Sequence, residues 1–157
     1  MVYFALIYPY LNYGISCWGS AARYILNKVY TKQKWALKVI TGSDFRSHST
    51  PLFLKLSLLK LDDICKLKIA MEIRKLMLTN QFYRFNIKFS QSIHNYTTRS
   101  SVKENLAIPS VNKNIGKSTL KFKGAIIWNE FHVRNKPISH LKFKYKNWLI
   151  EKYNEKL

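Results

Sequence analysis

Ser20-Ala21-Ala22-Arg23-Tyr24-Ile25-Leu26-Asn27-Lys28-Val29-Tyr30-Thr31-Lys32-Gln33-Lys34-Trp35-Ala36-Leu37-Lys38-Val39-Ile40 is helical by its spacing of apolar side chains. At about 100° per residue, Ile25, Leu26, Val29, Tyr30, Gln33, Ala36, Leu37 and Ile40 share one broad face. Ser20 is placed to cap the start, and Gly42 to end the helix in the left-handed conformation. The opposite face carries Arg23, Lys28, Lys32, Lys34 and Lys38, with Trp35 and Val39 among the lysines. A tryptophan there has two readings. It can stack on a base while the lysines meet phosphates, or it can pack on a neighbouring domain.

Working outward, Asp44–Thr50 reads as a polar connector, and Thr50-Pro51 as the start of a short helix, Pro51–Leu56, with Thr50 as cap. Asp62-Asp63 suits a helix N-terminus, where both capping and the macrodipole favour carboxylates. That helix runs to about Leu78. Its apolar residues, Ile64, Leu67, Ile69, Met71, Ile73, Leu76 and Met77, spread around the axis, which predicts burial on more than one side. Lys66, Lys68, Arg74 and Lys75 mark the wetter side. From Phe82 to Lys123 helical periodicity fades, Leu106–Pro109 reads as extended, and Ser118–Phe122 alternates like a strand. Gly124 opens an apolar helix through Trp128 to about Phe131. After Pro137, Ser139 caps a final helix with Leu141, Tyr145, Trp148, Leu149 and Tyr153 on one face.

On the N-terminal side, Val2–Trp18 is strongly apolar. It lacks the basic start and cleavage site of a signal peptide, is short for a membrane span, and is interrupted by Pro9, Asn12 and Gly14. A buried core helix is the expectation, and its abrupt apolar start reads as a truncated chain.

The 157 residues amount to one domain or two small subdomains, and folding can bury about 68–70% of the extended-chain surface. With 47% apolar and 15% aromatic residues the composition is that of a folding chain. Its 27 Lys and Arg against 8 Asp and Glu give a net charge of +19. Repulsion on that scale points to a polyanionic partner, whose counterions are released on binding. An anionic membrane surface and a merely solvated basic surface are the rival readings. Cys17 and Cys65 have no second cysteine at metal or redox spacing and read as small core residues in a reducing compartment.

Catalysis needs convergent reactive groups, and the sequence offers few. Asp62-Asp63 is the one adjacent acidic pair, but successive helical side chains diverge by about 100°, so capping explains them better than a shared metal. His48, His94, His132 and His140 are dispersed without partners at ligand spacing. The five glycines form no phosphate loop. Around His94-Asn95-Tyr96-Thr97-Thr98-Arg99-Ser100, hydrogen-bonding side chains crowd an aromatic and an arginine. Arg99 there can grip a phosphate or lock the loop internally.

Several strings together resemble the C-terminal, thumb and post-thumb part of reverse transcriptases of LINE-type, non-LTR retrotransposons of the jockey-like kind. They are Tyr3-Phe4-Ala5-Leu6-Ile7-Tyr8-Pro9-Tyr10-Leu11-Asn12-Tyr13-Gly14 with Trp18-Gly19, then Gln33-Lys34-Trp35-Ala36-Leu37-Lys38-Val39-Ile40-Thr41-Gly42, and His48, Pro51 and Leu52. His94-Asn95-Tyr96-Thr97-Thr98-Arg99 and Gly124 with Trp128-Asn129 complete the set. The resemblance implies a parent RNA-directed DNA polymerase, at work in nucleus or cytoplasm, that copies its RNA at a nicked chromosomal target. In it this region helps to hold template and primer. The palm aspartates that would bind two catalytic magnesium ions are absent from the sequence, so the chain alone is expected to be no enzyme and to hold no cofactor. Trp35 stands where the family usually has a basic residue, and His132 where a proline often follows.

The fold expected is mainly α: a thumb-like helical bundle over residues 1–80 and a small mixed α/β subdomain over 81–157. The expected partner is RNA or an RNA–DNA hybrid, with the palm and endonuclease domains as further partners and no membrane. Arg23, Lys28, Lys32, Lys34 and Lys38 are assigned to phosphates, Trp35 to stacking, and Arg99 to a loop or phosphate contact. A remnant without independent activity and a membrane-surface protein using Val2–Trp18 are the alternatives.

Overall fold

The computed structural model of the chain describes residues 2–93, 105–131 and 138–155. Arg99, the string around it, His132 and Pro137 lie outside the described residues, as does the side chain of Ser139. Helices dominate: α1 Val2–Leu6, α2 Tyr8–Asn12, α3 Ile15–Trp18, α4 Arg23–Thr41, α5 Thr50–Lys55, α6 Leu61–Leu78, α7 Asn114–Lys117, α8 Leu120–Glu130 and α9 Ile138–Asn154. The chain divides into two compact units, one formed by Met1–Lys68 with Phe143–Leu157 and the other by Ile69–Lys142.

In the first unit α4 is the organising element. Leu26, Gln33 and Leu37 are buried on the expected face, but Ile25, expected there too, is exposed, and the helix begins at Arg23, flanked by Ala22, rather than at Ser20. Gly42, at φ 61°, ends it as expected; a left-handed residue there costs least as glycine. Gln33 is a buried polar hub. Its Nε2 donates to the Tyr3 hydroxyl at 2.8 Å and to the Leu59 carbonyl at 2.9 Å, tying α4 to α1 and to the entry of α6. Phe53 of α5, Leu58, Leu61 and Ile64 fill the same core, with Tyr145, Leu149 and Tyr153 from the final helix.

The N-terminal stretch departs from expectation. Instead of one buried helix it forms three short ones, broken near Pro9 and at Gly14 (φ 58°). Tyr3, Leu11 and Ile15 are buried, while Val2, Phe4, Leu6, Tyr10 and Tyr13 are exposed. Apolarity all round the stretch gives no single inward face, so the backbone breakers decide its course. Among the described residues no helix is long and apolar enough to cross a membrane. Cys65 is buried as expected, but Cys17 is exposed.

The start of α6 is tied down inside the first unit. Asp62 and Asp63 sit in its first turn, favourably placed for the dipole. Asp62 pairs with Arg23 at 2.8 Å. Asp63 is buried, accepts a hydrogen bond from the Tyr153 hydroxyl and lies 3.4 Å from the Lys66 ammonium. The Tyr153 oxygen also accepts from the Lys60 backbone N–H at 3.0 Å.

The small mixed α/β subdomain expected over residues 81–157 is not supported by the described residues. Among the described residues there is no strand, only an isolated antiparallel bridge between Phe89 and Leu106. Leu106 is extended as expected, but the Asn129 side chain takes up its backbone groups: Leu106 N–H donates to Asn129 Oδ1 and Asn129 Nδ2 donates to the Leu106 carbonyl, both at 2.8 Å. The alternation over Ser118–Phe122 is the first turn of α8, not a strand. Thr119 caps that turn by accepting from the Phe122 N–H at 3.4 Å. The helix therefore starts before Gly124, which lies in its interior and is buried against Ile73 of α6. A Cβ at residue 124 would come within 2.7 Å of Ile73 Cδ1, so the glycine is what permits this approach.

Candidate functional site

The wet side of α4 follows from its wet–dry asymmetry. With about 100° per residue, Lys28, Lys32, Trp35 and Val39 form one stripe nearly opposite Leu26, Gln33 and Leu37. Lys28 and Lys32 are exposed and make no ion pair among the described residues. Trp35 is 52% exposed and Val39 62%. A second stripe, Thr31, Lys34 and Lys38, borders the first and faces the connector that follows the helix. Together with Trp35, Phe45, Ser47, His48 and Ser49 it lines an open cleft of about 310 Å³.

The connector is fastened to the helix end by its own polar groups. Beyond Gly42, the Ser43 N–H bonds to the Lys38 carbonyl at 3.0 Å and the Thr41 and Ser43 hydroxyls meet at 2.8 Å. Asp44 organises the turn: its Oδ1 accepts from the Arg46 N–H at 3.3 Å, and its carbonyl accepts from the Ser47 N–H at 3.0 Å and the Ser47 hydroxyl at 2.6 Å. The Lys38 ammonium donates to the Phe45 carbonyl at 2.5 Å and lies 5.5 Å from the Phe45 ring centroid. This contact carries the connector back over the helix and holds the 70%-exposed Phe45 ring on the rim. The Lys34 ammonium lies 4.8 Å over the Tyr30 ring. Burial holds the Tyr30 hydroxyl above its ordinary pKa, Asp62 and Asp63 push it further up, and Arg23 opposes them.

The cleft has two ammonium groups and no carboxylate in its lining. Of the residues assigned to nucleic-acid contact, the structure brings Lys34, Trp35 and Lys38 together here, with Lys28 and Lys32 on the adjoining stripe. Arg23 is engaged instead with Asp62. The cleft's other wall, Phe45, Ser47, His48 and Ser49, was not part of the sequence-based assignment. Its signal is weak: an Asp-x-x-Ser turn pattern with an aromatic inside it. Among the described residues no group of three or more His, Cys, Asp and Glu could hold a metal ion.

No family model, no curated protein and no solved structure matches this chain.

Proposed function

We propose that the chain is the thumb and post-thumb fragment of a non-LTR retrotransposon reverse transcriptase, without the magnesium-binding palm, and that it contributes a surface that holds RNA or an RNA–DNA hybrid. The observation that carries this reading is the wet side of α4: exposed Trp35 between lysines, beside a cleft with two ammonium groups and no carboxylate. Such a surface meets phosphates with its lysines and offers a π-face to a base, whatever the base. Palm and endonuclease domains of the parent enzyme would be its further partners and would supply the magnesium chemistry.

The test is equilibrium binding of single-stranded RNA and of an RNA–DNA hybrid over a salt series. Lys28, Lys32, Lys34 and Lys38 acting as four phosphate contacts give a slope of log K against log salt of about −2.8 for a single strand, at about −0.7 per contact. Lys28→Ala with Lys32→Ala flattens that slope by about 1.4. Arg23, its charge already partly compensated by Asp62, adds less to it. Binding that is absent at low salt, or that is insensitive to salt, overturns the proposal.

A further inference from the structure

We infer that the cleft between α4 and the Phe45–Ser49 connector takes a single unpaired nucleotide, so that the chain grips single-stranded nucleic acid in a way that a duplex cannot share. This rests on the nucleic-acid reading of the lysine face and narrows its substrate class. Two aromatic side chains reach the cleft from different elements, Trp35 from the helix and Phe45 from the connector, and both are more than half exposed. A base offers each a π-face. In a duplex both faces of an internal base are already covered by its neighbours, and freeing one costs several-fold in affinity or more.

The polar lining fits the rest of a nucleotide. The Lys38 ammonium has three N–H donors and uses one of them on the Phe45 carbonyl, which leaves donors for a phosphate; Lys34 adds a second charge beside it. The hydroxyls of Thr31 and Ser47 donate to the Asn27 and Asp44 carbonyls at 2.8 and 2.6 Å. With their protons committed, what they present to the cleft is acceptor lone pairs, suited to the exocyclic amino group of adenine or cytosine. An acidic peptide would use the lysines and leave the aromatic walls without a function, and a sugar would use the walls without needing the two ammonium groups. At about 310 Å³ the cleft is at the small end of ligand sites, enough for one nucleotide unit and not for a run of them.

Fluorescence anisotropy with the full chain at low salt tests this. The probes are an oligoadenylate of about 12 nucleotides, within the roughly 4–16 nucleotides of single-strand sites, an abasic strand of the same length and a blunt RNA duplex. The wild-type chain is expected to bind oligoadenylate about tenfold more tightly than the abasic strand, the loss that removing one stacked base brings. Trp35→Ala brings oligoadenylate binding down to the abasic level and leaves duplex binding unchanged. Phe45→Ala does the same in smaller measure, and because both rings are exposed neither truncation opens the core. Oligoadenylate binding that survives both substitutions, or that falls equally on the duplex, overturns the inference while salt-dependent binding still upholds the broader reading. Loss of salt-dependent binding to all three probes in the wild-type chain overturns both.

Discussion

Replacing Tyr153 with Phe removes one hydroxyl and tests how the final helix is held in the first unit. That hydroxyl donates to the buried Asp63 carboxylate and accepts the Lys60 N–H at 3.0 Å. A hydrogen bond to a charged group contributes about 1.5–3 kcal/mol, and the half-buried Lys60 N–H left without its acceptor adds about 1 kcal/mol. Lys66, 3.4 Å from the Asp63 Oδ1, compensates part of the loss because its ammonium is accessible and can move. The expected net cost is about 3 kcal/mol, a large share of the roughly 5–15 kcal/mol that holds a domain folded. For a chain of this size it lowers Tm by about 6–12 °C. Urea unfolding followed by circular dichroism reads it directly. The same bond has an alkaline signature. Burial, then the Asp63 charge, hold the Tyr153 pKa well above its ordinary 10.0. The stabilisation is thus fully present below about pH 10 and fades as pH rises toward the raised folded value, because the unfolded chain releases the phenolic proton first. Tyr3, Tyr8 and Tyr30 are shifted in the same direction by burial and remain in both proteins. The gap between wild type and variant should therefore narrow above about pH 10. A variant within about 0.5 kcal/mol of wild type at pH 7, or a gap that widens at high pH, refutes the reasoning.

Gly124→Ala gains about 1 kcal/mol of helix propensity but drives a methyl to 2.7 Å from Ile73 Cδ1, an overpacking cost of about 1–3 kcal/mol. The expected outcome is a net loss of about 1 kcal/mol, relieved when Ile73→Val is added; thermal unfolding of the two variants measures it. Asn129→Ala strips both hydrogen bonds from the Leu106 backbone and is expected to cost about 2–3 kcal/mol, with amide exchange at Leu106 accelerating ahead of global unfolding. Gly42→Ala places a side chain in open space at φ 61°, so its cost is the backbone strain alone, about 1 kcal/mol by urea unfolding.

Where a sequence signal depended on one long periodic element, the structure carries it. Leu26, Gln33 and Leu37 lie where the helical projection puts them, and the opposing stripe of Lys28, Lys32 and Trp35 is exposed. Even the buried polar residue on that face was legible, because Gln33 falls at a core position by spacing alone. Short signals fared worse. Five residues over Ser118–Phe122 cannot separate a period of 2 from the first turn of a helix, and the Thr119 cap settles the matter locally. In Val2–Trp18 apolarity without periodicity carried no information about which side turns inward, and Tyr10 and Tyr13 tolerate exposure because their hydroxyls stay wet. The second wall of the cleft was hidden for a different reason. It depends on Lys38 reaching the Phe45 carbonyl, and a main-chain acceptor leaves no mark in the sequence.

Trp35 is the residue on which the two sequence readings part, stacking on a base or packing against another protein surface, and its surroundings bear on the choice. Buried protein interfaces are depleted of lysine because its ammonium must lose water, whereas phosphate contact keeps that charge compensated. Along the Trp35 stripe the neighbours one and two turns earlier are Lys32 and Lys28, Lys34 and Lys38 border the stripe, and the exposed apolar companions are Val39, Tyr24 on the same helix face and Phe45 on the cleft rim. Seating a protein partner there would desolvate four lysines to cover those few side chains. A single strand threaded past the same residues pairs each charge and stacks one base. The two cases separate on the shape of the replacement side chain. Trp35→Phe keeps a π-face and is expected to retain most oligoadenylate affinity, while Trp35→Leu keeps apolar area without one and should fall about tenfold, as far as Trp35→Ala. Equal affinity of the Phe and Leu variants would mean that apolar contact, not stacking, is what Trp35 supplies.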